Sequence, residues 1–241
     1  MKKIKILKDL IDNAKNTVVF TGAGISTNSG IPDFRSSNGI YKKYPQDILF
    51  NIDYFRRDPS IFYGYLKEIL EIDIKITKMH KILAELEKNG KIQTIITQNI
   101  DNLHEEAGNK NIYEIHGSLK KFYCEKCGKH HNADIIIDKV KNSEIPKCSC
   151  DNTIRPDVVF FSEQVKHIQK CIKISSKSDL FIVIGSSLNV VPASWLPVYA
   201  VENKAKLVIL NNDKTNLDNY AELIINEDLD MLGCRFLTLT K

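Results

Sequence analysis

The chain lacks any run approaching the roughly 18 uncharged apolar residues that a membrane helix needs. No internal repeat and no low-complexity tract interrupts it. With only 11 Gly and 7 Pro in 241 residues, it is neither collagen-like nor a linker. Charge of one sign is also scarce. The 34 basic and 30 acidic side chains leave a net +4, too small an excess to argue for nucleic acid. The basic start, Met1 to Asp9, returns to charge too soon for a signal peptide, so a cytoplasmic protein with no membrane association is expected. What the chain does have is a core: 43% of its residues are hydrophobic, which excludes a disordered polypeptide. At about 150 residues per domain, the length suggests one full domain and a smaller insert.

Short apolar runs alternate with helical patterns. Ile4, Leu7, Leu10, Ile11 and Ala14 repeat at helical spacing, and Thr17 to Phe20 is a β-branched run ending at a glycine loop. Asp58-Pro59 opens a helix to about Leu70, and a second helix carries Met79, Ile82, Leu83 and Leu86 and stops at Asn89-Gly90. Strands are expected at Gln93 to Thr97, Asn111 to Ile115, Leu180 to Ile184 and Lys206 to Leu210, and Val158 to Phe161 is a further apolar run. Ile168, Cys171 and Ile172 mark another helix. This alternation predicts an α/β fold with a parallel sheet covered on both faces. Ligands of such sheets bind beyond the carboxyl ends of the strands. Those ends carry Gly22-Ala23-Gly24, Gln98-Asn99-Ile100-Asp101, His116-Gly117, Gly185-Ser186-Ser187 and Asn211.

Each tip has a plain reading beside a functional one. Gly22-Ala23-Gly24-Ile25-Ser26 lets backbone amides approach a pyrophosphate, but Thr27 replaces the last glycine of G-x-G-x-x-G, and a tight turn fits equally well. The following Asp33-Phe34-Arg35 adds a cation for phosphate and a ring to cover an apolar face, which an ordinary turn does not need. Gln98, Asn99 and Asp101 match the donors and acceptors of a ribose or carboxamide, although helix capping also accounts for them. His116 is suited to moving a proton near neutral pH, or is a structural histidine.

Six cysteines are present, four of them in one window. Cys124-x-x-Cys127 followed by Cys148-x-Cys150 supplies four thiolates for a closed tetrahedral zinc site, so one structural Zn2+ is expected there. The window breaks the alternation and reads as an inserted module. Cys171 and Cys234 read as core or incidental.

Taken together, these motifs resemble the sirtuin family. They continue through Arg155-Pro156-Asp157-Val158-Val159-Phe160-Phe161, Gly185-Ser186-Ser187-Leu188, and Asn211 with Thr215 and Asp218, in family order over about residues 5 to 230. The resemblance implies a Rossmann-like large domain (about 1–35, 90–118 and 156–241) and a small domain from two insertions, helical at 36–89 and a zinc ribbon at 119–155. It implies an NAD-dependent protein-lysine deacetylase or deacylase releasing nicotinamide and O-acyl-ADP-ribose. Ala23, Thr27 and Arg35 would then line the phosphate side of NAD, and Ser186, Ser187, Asn211, Asp228 and Leu229 hold the adenosine half, with Gly22, Gly24, Asp33, His116 and Gly185 also binding the cofactor. Gln98, Asn99, Ile100 and Asp101 would hold the nicotinamide ribose and carboxamide, with Phe34 shielding the anomeric carbon. His116 and Asn99 would be catalytic, His116 accepting a proton relayed from a ribose hydroxyl. Val159, Phe161, Asn189 and Val190 would pair with an acylated-lysine peptide as an added strand.

Two departures from the family pattern stand out. The second cysteine pair is C-x-C rather than C-x-x-C, and Ser162 stands where relatives usually carry Gly. The Tyr and Arg pair of relatives selective for acidic acyl groups is missing, so neutral acyl groups, acetyl first, are expected. Mono-ADP-ribosyl transfer at the same NAD site is the alternative. A nicotinamide oxidoreductase is disfavoured by the incomplete glycine motif. A nucleic-acid ribbon is disfavoured by the lack of aromatics interleaved with Lys129, Lys139, Lys141 and Lys147.

Overall fold

A computed structural model describes residues 2–34 and 39–240, with side chains through residue 236. Nine strands occur among them: β1 (Thr17–Thr21), β2 (Thr94–Thr97), β3 (Ile112–Glu114), β4 (Gly117–Cys124), β5 (His130–His131), β6 (Ile154–Val158), β7 (Leu180–Ile184), β8 (Lys206–Leu210) and β9 (Leu223–Ile225). Six form one sheet in the order β3-β2-β1-β7-β8-β9, with every neighbouring pair parallel. Counted within that sheet, the order is 3-2-1-4-5-6, the doubly wound Rossmann arrangement.

Its central strands are mostly apolar because both faces are covered. Val19, Ile182 and Val208 face a cluster completed by the helices Lys2–Asn13, Lys78–Lys88 and Leu229–Thr240. Val18, Phe20, Phe181, Val183 and Ile209 face the opposite cluster, built with Ile168–Ser175 and Leu196–Glu202. Alternation of side chains along each strand feeds both layers.

The remaining strands form an antiparallel sheet in the order β5-β4-β6. A third cluster packs it on the helices Ile52–Arg57, Ser60–Leu70 and Ala133–Lys141, so both insertions share one core. The apolar run at Val158 to Phe161 divides: Val158 ends β6, and Val159 to Phe161 leave the sheet to line a cleft. The helix expected to open at Asp58-Pro59 begins at Ser60, whose amide donates to Asp58 Oδ1 at 3.0 Å. The helix Lys78–Lys88 falls inside the 36–89 boundary but packs on the large sheet through Met79, Ile82 and Leu83. No helix among the described residues is long and apolar enough to cross a membrane.

Candidate active site

In a doubly wound sheet the strand order reverses between two central strands, and a crevice opens at their carboxyl ends. Here those strands are β1 and β7. Gly24 N–H donates to Gly185 O at 2.8 Å, and Gly22 N–H donates to Ile184 O at 3.1 Å, so the two tips are laced together. Gly185 adopts φ +63°, and a Cβ there would meet Ile25 N at 2.3 Å. Only glycine leaves bare backbone for a diphosphate to approach.

The crevice is a cleft of about 550 Å³, within the range of small-molecule sites. It gathers Gly22, Ala23, Gly24, Thr27, Asp33 and Phe34 from the first tip and Gln98, Asn99 and Ile100 from the second. His116 stands at the third tip, and Gly185, Ser186, Ser187, Asn211, Asp228 and Leu229 complete the opposite side. Val159, Phe161, Asn189 and Val190 line the same cleft. Asp101 does not line it. Asp101 faces an adjoining chamber of about 160 Å³ that shares Ala23, Phe34, Asn99 and Ile100 with the main cleft. Arg35 lies outside the described residues.

Hydrogen bonds fix the tips relative to one another. Ser186 Oγ donates to Gln98 Oε1 at 2.7 Å, and Asn99 Nδ2 donates to Gly22 O at 3.2 Å and to Ser26 Oγ at 3.1 Å. Ser26 Oγ donates in turn to Asp101 Oδ2 at 2.7 Å. Burial raises the Asp101 carboxyl above the usual carboxylate range, against the opposing bonds from Leu103 N–H and Ser26. Ser26 follows the glycine loop after β1, and the β1–β2 pairing brings it beside Asp101. Asp228 also accepts from Met231 N–H at 2.8 Å, opening the last helix, and Leu229 is mostly core.

His116 has a defined proton arrangement. Its Nδ1 lies 3.0 Å from Gln98 O, and a carbonyl can only accept, so Nδ1 carries the hydrogen and Nε2 keeps its lone pair. Burial lowers its pKa to about 4, against the opposing Gln98 bond. At neutral pH the ring is therefore neutral and able to accept a proton. The next residue is Gly117, where a Cβ would fall 1.9 Å from Asp157 O, so β4 can start only from glycine here. Three residues beyond Val159, whose N–H bonds His116 O, Ser162 adopts φ +74°, a left-handed conformation that favours glycine.

The four cysteine sulfurs lie within 4.8 Å of one another, with Cys124–Cys150 at 3.5 Å and Cys127–Cys148 at 3.6 Å. A tetrahedron with Zn–S bonds of about 2.3 Å has edges near 3.8 Å, so the donor set fits zinc and leaves no fifth position. The C-x-C pair succeeds because Asp151 turns at φ +64° and donates N–H to Cys148 O at 2.9 Å. Cys171 is fully buried, and Cys234 is half-buried beside Lys78.

A doubly wound crevice of bare backbone, with a neutral imidazole at its edge and a four-thiolate module on its flank, defines a dinucleotide-handling α/β protein with a structural metal. Comparison with known proteins narrows this. The chain belongs to the Sir2 family, whose model matches residues 22–192. It is 44% identical over 232 residues to an NAD-dependent protein deacetylase of Thermotoga maritima, covering 94% of each chain. It is also 44% identical to one from Sulfurisphaera tokodaii, covering 92% of this chain and 90% of the relative. A solved Sir2 structure with a deacetylated p53 peptide and 3'-O-acetyl ADP ribose superposes with a TM-score of 0.93 at 42% identity, over 98% of both chains. A Sir2–p53 peptide–NAD+ structure gives 0.91 at 40% identity, over 99% of this chain and 98% of that one.

Proposed function

We propose that this chain removes acyl groups, acetyl first, from protein lysines in an NAD-dependent reaction that yields free lysine, nicotinamide and O-acyl-ADP-ribose. The observation that carries this reading is His116: a neutral imidazole with a free Nε2, facing the same cleft as the glycine tips and Asn99.

The cleft fits NAD. Its glycine tips expose backbone where a Cβ at Gly22 would sit 2.8 Å from Gly185 O, which suits a diphosphate. Gly22, Ala23, Gly24 and Thr27 would hold the phosphate side, and Ser186, Ser187, Asn211, Asp228 and Leu229 the adenosine half, with Asp33 and Gly185 also lining the cofactor site. When bound, NAD would supply an anomeric carbon bearing a cationic nicotinamide leaving group. Gln98, Asn99, Ile100 and Asp101 would hold its nicotinamide ribose and carboxamide, and Phe34 would shield the anomeric carbon. His116 accepts a proton at Nε2, and its Nδ1–H bond to Gln98 O keeps the ring aimed while it does so. Val159 and Phe161 on one side, with Asn189 and Val190 on the other, hold the substrate as an added strand, so main-chain bonds supply the affinity. The thiolate cluster suits a reducing compartment, the cytoplasm.

The test is incubation with NAD and an acetyl-lysine peptide, followed by mass spectrometry. Nicotinamide release with loss of acetyl from the peptide is expected, whereas a gain of ADP-ribose mass on protein without deacetylation overturns the reading. His116→Ala should lower turnover by about 10²–10⁴-fold while NAD still binds. Turnover close to wild type would remove His116 from its role.

A further inference from the structure

Arg155 is the largest fully buried side chain, at 2% exposure, and the chemistry above does not use it. It lies on edge strand β6, where its guanidinium forms a two-pronged pair with Glu163: Nη1 to Oε1 and Nη2 to Oε2, both 2.7 Å. Nη2 also donates to Val158 O at 2.9 Å, and the guanidinium carbon lies 4.9 Å from the centre of the Phe160 ring. Glu163 Oε2 accepts from Phe160 N–H at 2.8 Å. One ion pair therefore grips the carbonyl of Val158 and the amide of Phe160, on either side of Val159.

The rest of the segment is held just as completely. Val159 N–H donates to His116 O at 2.8 Å, and Phe161 N–H donates to Phe50 O at 2.7 Å. The same guanidinium reaches Glu125 at 3.1 Å, between the ligands Cys124 and Cys127. Glu125 is held on its other side by Arg56 of the helix Ile52–Arg57, at 2.7 and 3.0 Å. A buried ion pair is weak evidence for stability, because apolar residues of similar volume often serve as well. What this pair supplies is direction: two backbone groups, Val158 O and Phe160 N–H, aimed at fixed partners.

We infer that Arg155 and Glu163 are positioning residues that set the backbone of Val158 to Phe161 in register for the acyl-peptide, and that Glu125 ties this edge to the thiolate knuckle. The inference rests on the added-strand reading of the substrate. It predicts a selective defect: the peptide edge is set by the pair, while the glycine tips and His116 Nδ1 are held by other bonds.

The test is steady-state kinetics on the double variant Arg155→Met/Glu163→Leu, which leaves no unpaired buried charge, with Glu163→Asp as a second variant that keeps the charge but is too short to span both partners. Each should raise KM for the acetyl-peptide by about tenfold or more, a loss of about 1.4 kcal/mol in binding. KM for NAD and kcat at saturation should stay within about twofold, and zinc content should be unchanged. Glu125→Gln should raise peptide KM less. Unchanged peptide KM in a variant that melts as wild type overturns the inference, as does an equal loss in both KM values and kcat. The strand reading is tested separately on the wild type with a peptide N-methylated at the amides beside the acyl-lysine. If that peptide binds as tightly as its parent, the strand reading fails whatever the variants do. If it binds weakly while the variants keep normal peptide KM, only the positioning role fails.

Discussion

The two walls of the cleft reach order by different routes. The six-stranded wall is a self-sufficient sheet: every strand sends alternate side chains into one of two apolar layers, and its tips are locked by backbone bonds between Gly22, Gly24, Ile184 and Gly185. The opposite wall has one strand of two residues, β5. Its core relies on aromatic rings, Phe50, Phe55, Phe62 and Phe160 among them, with centroids 5.1 to 6.3 Å apart. The three strands of its sheet have two, eight and five residues, and four thiolates cross-link it at the end where pairing is shortest. The first wall is ordered by sheet topology, whereas the second combines an aromatic core with a four-thiolate site and a buried ion pair.

Metal removal should separate them most sharply. Structural zinc contributes about 10–16 kcal/mol to the folding of small zinc modules near neutral pH. Stripping zinc with a chelator, or substituting Cys127→Ser, should abolish the near-ultraviolet circular dichroism of the aromatic cluster and lower deacetylation by at least about a hundredfold. The sheet's own thermal transition should persist. A single transition that shifts as a whole would break the comparison, because the two walls would then be one cooperative block.

The converse perturbation is Gly185→Ala. A non-glycine residue in the left-handed region costs about 1–3 kcal/mol, and here the added Cβ also meets the backbone atoms Ile25 N at 2.3 Å and Gly24 C at 2.7 Å. NAD binding, measured by calorimetry, should weaken by at least about tenfold. Zinc content and the aromatic dichroism should not change. A loss of zinc in this variant would mean that the tips and the knuckle communicate.

Much of this contrast was legible in the chain. Continuous runs such as Leu180 to Ile184 announce strands buried on both faces, and two close cysteine pairs announce a thiolate site. Other parts were hidden for identifiable reasons. β6 carries Arg155, Pro156 and Asp157, a polar stretch with no strand pattern; it is a strand because Pro156 sits on a sheet edge and Arg155 finds the carboxylates of Glu125 and Glu163. β9 is only three residues long and has no period to detect. The placement of Asp101 in a side chamber depends on Ser26, brought to it by the β1–β2 register, so adjacency in Gln98-Asn99-Ile100-Asp101 could not show that the last residue departs from the first three. The large sheet as packing partner of the helix Lys78–Lys88 was hidden because an amphipathic pattern states that a face is buried, not against what.

The smallest expected effect concerns acid and falls on the sheet wall. His80 is fully buried and His104 is 2% exposed, their ring centres 4.7 Å apart behind the β1 and β2 tips. His104 Nε2 lies 2.9 Å from Thr21 Oγ1, which bonds Thr97 Oγ1 at 2.8 Å, and Thr97 Oγ1 accepts from Asn99 N–H at 3.0 Å. Burial lowers His104 to about 4 and His80 to about 2, His104 also lowering its neighbour; among the described residues His80 Nε2 has no hydrogen-bond partner. Both histidines therefore bind protons more readily unfolded than folded, so stability is fully present above pH 6.5. It declines as pH falls through 6.5 toward 4, and for His80 toward 2. At pH 5 each such histidine costs about 2 kcal/mol, from a gap of about 1.5 pH units below its ordinary value. Denaturant unfolding followed by far-ultraviolet dichroism should record this as a slope between pH 7 and 5. Replacing His104→Gln should reduce that slope by up to about 1.4 kcal/mol per pH unit, one proton's worth. The slope is the proper readout, since the substitution lowers stability at every pH while only the proton difference alters its pH dependence. An unchanged slope would mean that His104 titrates alike in both states and that the acid sensitivity of this wall comes from His80 and His116.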